Sequence, residues 1–353
     1  MCGLCRPACA ASAASAAPAT APAAPATLQP LTIAAVLPQN NTAYPWTWRR
    51  VGPAVRLARD AVNRDPSLLP AHRLRYVFGN CEDNQGICSE SIAPLAAMEL
   101  KFSSDPDVFV GPGCIYAAAP VARFAGHWQV PMVTAGAAAY GFNQRWPEYP
   151  LLTRSGPSHG KLGRYVAHLH RRFRWDGRVL FVYNDEKTDD RPCFFAVEGL
   201  YHEVQALRNL TVVDIPFRES GPLDYTGLVQ EIVQKGRIVY VCCSPGTFRN
   251  LMLSARRAGM TSGEFAFFHI DVFGESLRGG PPFPLPWRRG DQYDSEAKEA
   301  YAAVLIITYR EPVNPEYGRF VQDLKRCAAE FFNFTIEDTL VSHRMMQQAL
   351  RPI

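Results

Sequence analysis

The chain reads as an α/β protein of two lobes, each built on a mainly parallel sheet flanked by helices. Three observations predict this. Apolar runs of strand length alternate with amphipathic stretches of helix length along most of the chain. The alternation stops at a small-residue stretch near residues 135–145 and then restarts. Finally, 353 residues are more than one ordinary core accommodates and suit two lobes.

The first strand is the run LTIAAVLP from Leu31, apolar and β-branched enough to be buried on both faces. Val51, Val55, Ala58 and Val62 share one face at helical spacing, and Pro66 ends that helix. A strand at 74–78, a helix over 92–102, a short strand at 108–110, a helix over 117–127 and a strand at 131–134 complete lobe one, residues 31–137. The segment AGAAAYGF then predicts a crossover. Lobe two, residues 138–275, is expected to open with the strand LLT. Helices over 161–173, 194–205, 225–234 and 248–258 follow, alternating with strands at 179–183, 210–215, 238–242 and 265–270. The proline-rich segment GGPPFPLPWRRGDQYD predicts an exposed linker, its RGD incidental. A strand at 304–308 and a helix at 317–332 are expected to return to lobe one, within residues 276–340. Residues 1–30 form an Ala/Pro/Ser/Thr tract without the Leu-rich centre of a secretory leader, and 341–353 a divergent tail.

Composition removes several classes of function. A net charge of +4 with 20% charged residues does not suggest nucleic acid. No apolar run reaches the ~18 residues of a membrane span. No G-x-S-x-G, H-E-x-x-H or paired His/Cys context appears, so no enzyme is expected. The GPGC turn lacks the Lys and Ser/Thr of a phosphate loop, and the acidic run DEKTDD lacks metal-ligand spacing and reads as a solvated loop. No metal is expected.

Ten cysteines and three Asn-x-Thr sequons, at Asn40, Asn209 and Asn333, predict an oxidising, extracellular or cell-surface setting. Spacing alone does not fix the pairing. Position favours two bridges within lobes, Cys88 with Cys114 and Cys193 with Cys242, each at strand-to-helix junctions. Cys81, Cys243 and Cys327 are then left as buried or reduced thiols, and Cys2, Cys5 and Cys9 as free thiols.

The stretches YPWTWRRVGPAV, VGPGCIYAAAPVARFAGHW, VPMVTAGA, TDDRPCFFAVEGL, FFHIDVFGESL and ITYREPVNPEY occur in order and are rich in Trp, Cys, Pro and Gly. They resemble the extracellular domain of the A- and B-type natriuretic peptide receptors, with features of both types. The resemblance implies a type I periplasmic-binding-protein-like fold and a homodimer holding one natriuretic peptide hormone. In the full-length family, a single-pass membrane receptor, binding activates an intracellular guanylyl cyclase. After IEDTL the likeness ends, so the chain is expected to stop short of the family's full ectodomain and to lack a membrane span or catalytic domain.

Carried over by position, the resemblance makes hormone contacts of Glu90, Tyr116 and Arg123 in lobe one, Glu148 and Tyr149 near the crossover, and Tyr183, Phe194, Phe195, Glu198 and Phe217 in lobe two. Two adjacent phenylalanines at a helix start cannot both face the core, which predicts at least one exposed ring there. Asp185, Asp214 and Pro216 depart from the A-type pattern, which has Tyr, His and Glu at those places. The resemblance also implies a buried chloride on the backbone N–H groups of Gly113 and Cys114 and a nearby Ser, whose place falls to Cys81, or to Asn80 after a one-residue shift. The family's dimer surface falls at Glu99 to Phe102. The competing readings are a small-ligand receptor of the same fold, although TAGAAAYG offers no Ser/Thr pair at the cleft, and a non-signalling truncated or decoy fragment.

Overall fold

A computed structural model describes residues 28–187, 190–272, 285–309, 312 and 314–336. The tract holding Cys2, Cys5 and Cys9, the first part of the proline-rich segment and the tail at 341–353 lie outside the described residues.

Lobe one runs β1 (Gln29–Leu37), α1 (Trp48–Arg64), β2 (His72–Asn80), α2 (Ile92–Ser104), β3 (Val108–Val110), α3 (Ile115–His127), β4 (Met132–Thr134) and β5 (Leu152–Arg154). Next come α4 (His159–Phe173), β6 (Gly177–Asn184), α5 (Pro192–Val204), β7 (Leu210–Phe217), α6 (Tyr225–Lys235), β8 (Ile238–Cys242), α7 (Pro245–Arg257), β9 (Ala266–Ile270), α8 (Asp294–Ala300), β10 (Val304–Ile307) and α9 (Pro315–Phe332). The strands form two five-stranded sheets in the orders β2-β1-β3-β4-β5 and β10-β9-β8-β6-β7. All their pairings are parallel. This is a two-lobed α/β architecture of the type I periplasmic-binding-protein-like kind.

Continuous apolar runs form the central strands because helices cover both sheet faces. Ala34, Ala35 and Val36 of β1 are fully buried, as are Val179 to Val182 of β6 and Val239 to Val241 of β8. Helix starts follow local chemistry: Pro192 and Pro245 open α5 and α7, and the Asp224 carboxylate accepts from the N–H groups of Thr226 and Gly227 at the head of α6.

Two strands sit elsewhere than the sequence suggests. The LLT strand, expected to open lobe two, is the edge of the lobe-one sheet: Met132 of β4 registers with Leu152. Leu152 joins Phe142 and Tyr149 in the lobe-one core, so the chain leaves that lobe only after Arg154. The strand expected to return to lobe one at 304–308 instead pairs with β9, Ile307 against Ile270. Helix α8 docks on α7 through the pairs Arg257–Glu296 and Arg256–Glu299, and that docking delivers β10 to the free edge beside β9. The return to lobe one is made by α9. Phe332 meets Trp48 of α1 at 5.7 Å, and a Cβ on Gly52 would stand 2.4 Å from the Phe332 ring, so this contact requires glycine.

Candidate functional site

The two lobes meet where α3 of lobe one faces the start of α5. Cys114 is the N-cap of α3, but its sulfur is committed to a disulfide with Cys88 and caps nothing. Lobe two supplies the cap instead. The buried Asp190 carboxylate accepts from the backbone N–H of Ile115 at 2.6 Å and of Tyr116 at 3.3 Å. This corrects the reading of DEKTDD as a wholly solvated loop: its last carboxylate is buried because the positive end of α3 holds it there.

Arg191 follows in the left-handed region, φ 46°, which turns its side chain across the head of α5. Its guanidinium lies 3.8 Å over the Phe194 ring and donates to Asp185 Oδ1 from Nε at 3.0 Å and Nη2 at 2.5 Å, while Nη1 is 3.5 Å from the Tyr116 hydroxyl. Burial works against the Arg191 charge, and the hydrogen bonds to Asp185 and Tyr116 outweigh it, holding its pKa above the ordinary range. Phe195 meets Tyr116 edge-on at 5.3 Å and Phe194 at 5.2 Å. Neither phenylalanine is exposed, contrary to the expectation of one free ring: Phe195 packs on the lobe-one core and Phe194 on the lobe-two core. Adjacent rings escape the one-core rule because two cores are present.

Of the positions that the resemblance makes hormone contacts, the structure gathers Tyr116, Phe194 and Phe195 with Arg191 and Asp185 into this junction. Arg123, Glu148 and Tyr149 form a second group. Arg123 Nε is 2.8 Å from Glu148 Oε2, the side chains being 52% and 38% exposed, and the guanidinium lies 5.1 Å over the Tyr149 ring. Tyr149 is buried on Phe142 and acts as the floor beneath the exposed pair. Tyr183 is buried at the end of β6, where burial and then the Asp214 and Asp185 carboxylates push its phenol up. Phe217, at the end of β7, is half-buried against the lobe-two core. Glu90 is exposed two residues beyond Cys88.

Glu198 lies apart from both groups. It is half-buried beside the 3-10 turn Tyr140–Asn143, with Oε2 buried and lacking a hydrogen-bond partner. Burial raises its pKa, against the opposing effects of His202 and the Tyr140 backbone N–H. His202, one turn on, stacks on Tyr140 at 4.2 Å. The residues missed from sequence are thus Asp190 and Arg191, while Asp185 was singled out only as a departure from the A-type pattern. The two missed residues lie just before Pro192, which opens α5, and the left-handed turn at Arg191 left no local signature.

Cys88 and Cys114 are bridged with Cα atoms 6.4 Å apart, and Cys193 and Cys242 with Cα atoms 5.4 Å apart. Cys81, Cys243 and Cys327 are free and buried. Gly113 and Cys114 are buried, and among the described residues neither N–H donates to a protein acceptor. Trp46 closes the turn: a Cβ on Gly113 would lie 2.4 Å from its ring, and its indole N–H is 2.9 Å from Cys114 Sγ. Two buried, adjacent donors at a helix head fit a small anion. The Cys81 sulfur lies 3.6 Å from that of Cys88, and burial, then the Glu82 charge, push its thiol up to about 12, so it offers a weak S–H donor. The sequons at Asn40, Asn209 and Asn333 are all exposed. Glu99 and Phe102 of α2 are exposed on one face with Leu95, Phe102 at 83%.

A family model described as a receptor family ligand binding region matches residues 50–347. The chain belongs to that family. Within this receptor family it is 44% identical over 318 residues to atrial natriuretic peptide receptor 2 of Homo sapiens, covering 88% of this chain and 29% of that protein. It is 34% identical over 310 residues to atrial natriuretic peptide receptor 2 of Anguilla japonica, and 39% identical over 303 residues to atrial natriuretic peptide receptor 3 of Bos taurus, of which it covers 54%. The chain therefore spans a minor part of the receptor 2 relatives and about half of receptor 3. As a member of the receptor family, it is the ligand-binding part of such proteins, and among its described residues no helix is long and apolar enough to cross a membrane.

Proposed function

We propose that this domain binds a natriuretic peptide hormone between two copies of the chain, on the extracellular face of a receptor. The observation that carries the reading is the junction of Tyr116, Arg191, Phe194 and Phe195, a half-buried aromatic and cationic seam to which both lobes contribute. Rings supply contact area at low entropic cost, and a site spanning two lobes responds to their relative position. The exposed Arg123–Glu148 pair extends the surface with a carboxylate for a basic peptide. The stripe of Leu95, Glu99 and Phe102 is the proposed self-association face.

In the longer proteins of this kind, the domain is proposed to drive an intracellular guanylyl cyclase by reorienting protomers. We assign chloride to the N–H groups of Gly113 and Cys114, beside Cys81. Its chemistry there is a fixed negative charge at the head of α3, one residue from the Ile115 and Tyr116 N–H groups that Asp190 holds.

The test is saturation binding of labelled natriuretic peptide to the secreted chain, with chloride and with a non-coordinating anion in its place. Saturable binding that weakens without chloride is expected. Secreted, folded chain that shows no saturable binding of any natriuretic peptide overturns the proposal.

A further inference from the structure

We propose that the outer face of α4 and the pocket at its C-terminal end bind a sulfated polysaccharide chain. This lies beyond hormone binding and uses none of the hormone-contact residues. Helix α4 turns Lys161, Arg164, Tyr165, His168, Arg171 and Arg172 outward, all of them exposed, and contains no Asp or Glu. Its other face, with Leu162, Gly163 and Val166, is buried against α5, where a Cβ on Gly163 would lie 2.2 Å from the Gly199 carbonyl oxygen. The cationic stripe is therefore fixed outward by close packing behind it.

Helix stability does not account for the stripe. Arg171 and Arg172 in the last turn suit the negative end of the helix, but Lys161 stands in the first turn, at the positive end, where a cation is disfavoured, and Arg164 lies too far from either end to be favoured by the dipole. Lys161 and Arg164 are also three residues apart, a spacing at which like charges repel. None of these four cations is in an ion pair among the described residues. Four unneutralised charges maintained on one face of one helix favour an anionic partner over solvent alone.

The stripe runs into a shallow, open cavity of about 440 Å³ bordered by Arg171, Arg174 and Arg208, with Trp175 as a wall and Asp176 the one carboxylate in its lining. Arg174 ends the helix in the left-handed region, φ 55°, and lines the cavity together with Arg171. The buried His170 steadies the wall through Nδ1, 3.3 Å from the Trp175 carbonyl oxygen. Guanidinium forks match the paired oxygens of sulfate and carboxylate groups.

The length of the feature selects a polymer. From Lys161 to Arg172 the helix rises roughly 17 Å at about 1.5 Å per residue, more than a single small anion spans. Two disulfides and three exposed sequons suit an extracellular chain, where the abundant linear polyanions are sulfated polysaccharides.

The secreted chain is applied to immobilised heparin and eluted with sodium chloride. The chain is applied both as secreted and after enzymatic removal of its N-glycans, because Asn209 lines the same cavity, and retention of the deglycosylated chain alone overturns the proposal. The parent chain is expected to be retained at physiological salt. The triple variant Arg164→Glu, Arg171→Glu, Arg208→Glu is expected to elute at clearly lower salt, losing roughly one unit of log–log salt slope per contact removed. Lys298→Glu, an exposed charge reversal on α8, is expected to elute with the parent. The corresponding triple Arg→Gln variant, free of introduced repulsion, should fall between, and unchanged circular dichroism should accompany all three. Co-elution of the triple variants with Lys298→Glu, absence of retention, or preference for phosphatidylserine vesicles over heparin overturns the proposal.

Discussion

Asp190 Oδ1 lies 2.6 Å from the backbone nitrogen of Ile115, so a carboxylate of one lobe caps the first helix turn of the other. Replacing it with Ala leaves buried N–H groups unpaired and removes a favourable charge from the helix head. Asp190→Ala is expected to destabilise the chain by about 1–3 kcal/mol. Equilibrium urea unfolding measures this, and hydrogen exchange at Ile115 and Tyr116 should accelerate with it. Unchanged exchange at both amides refutes the cap.

Arg191 joins Asp185, Phe194 and Tyr116 in one contact set. Lys keeps the charge but not the planar fork. Arg191→Lys is therefore expected to weaken hormone binding about tenfold, equivalent to about 1.4 kcal/mol, while Arg191→Ala weakens it further. Competition binding gives the order. A Lys variant equal to the parent means the fork is not used.

Cys81 stands beside the Cys88–Cys114 bridge as a protonated thiol, its pKa pushed up to about 12. A hydroxyl is a better donor to an anion than a thiol. Cys81→Ser should lower the chloride concentration needed for half-maximal hormone binding about threefold or more, an order-of-magnitude expectation from hydrogen-bond strength. Titrating hormone binding against chloride checks it. An identical midpoint removes Cys81 from the site.

His159 opens α4 at the lobe junction, 6% exposed. Burial, with Arg154 adding, lowers its pKa to about 4 despite a hydrogen bond involving the Phe195 backbone. A group with a depressed folded pKa contributes stability that is present above its unfolded value and lost as pH falls toward the folded value. Stability should fall as the pH drops from about 6.5 to about 4, by on the order of 3 kcal/mol. His159→Gln should flatten that slope. Thermal midpoints across the window show whether it does.

Phe102 is 83% exposed on α2 and one turn from Glu99. A ring so presented costs nothing to charge in the monomer but much in a buried contact. Phe102→Asp should leave stability within about 0.5 kcal/mol and weaken self-association, read by sedimentation velocity. Unchanged association assigns the dimer face elsewhere.

The elements were legible because each lobe repeats a simple periodicity. Val51, Val55, Ala58 and Val62 mark α1 without reference to any partner, and the apolar run from Leu31 could form only a doubly covered strand. The paired cysteines were legible for a related reason: each pair lies at strand-to-helix junctions of its own lobe's sheet. Phe194 and Phe195 were legible as an anomaly, but not as a joint between cores. Glu198 looked like a carboxylate for the hormone and is held half-buried at the Tyr140–Asn143 turn, a proximity that no local pattern encodes.

By itself, the sequence determined the two-lobed α/β class, the order and type of its elements apart from the short helix α8, and its likeness to natriuretic peptide receptors. Those depend on local periodicity and on stretches of residues read in line. Tertiary structure decided which sheet the edge strands Leu152–Arg154 and Val304–Ile307 joined, and that Asp190 and Arg191 would bind across the lobe boundary. An edge strand is apolar whichever sheet receives it, and a carboxylate is buried only where a helix end arrives to meet it; both outcomes follow from how distant helices dock.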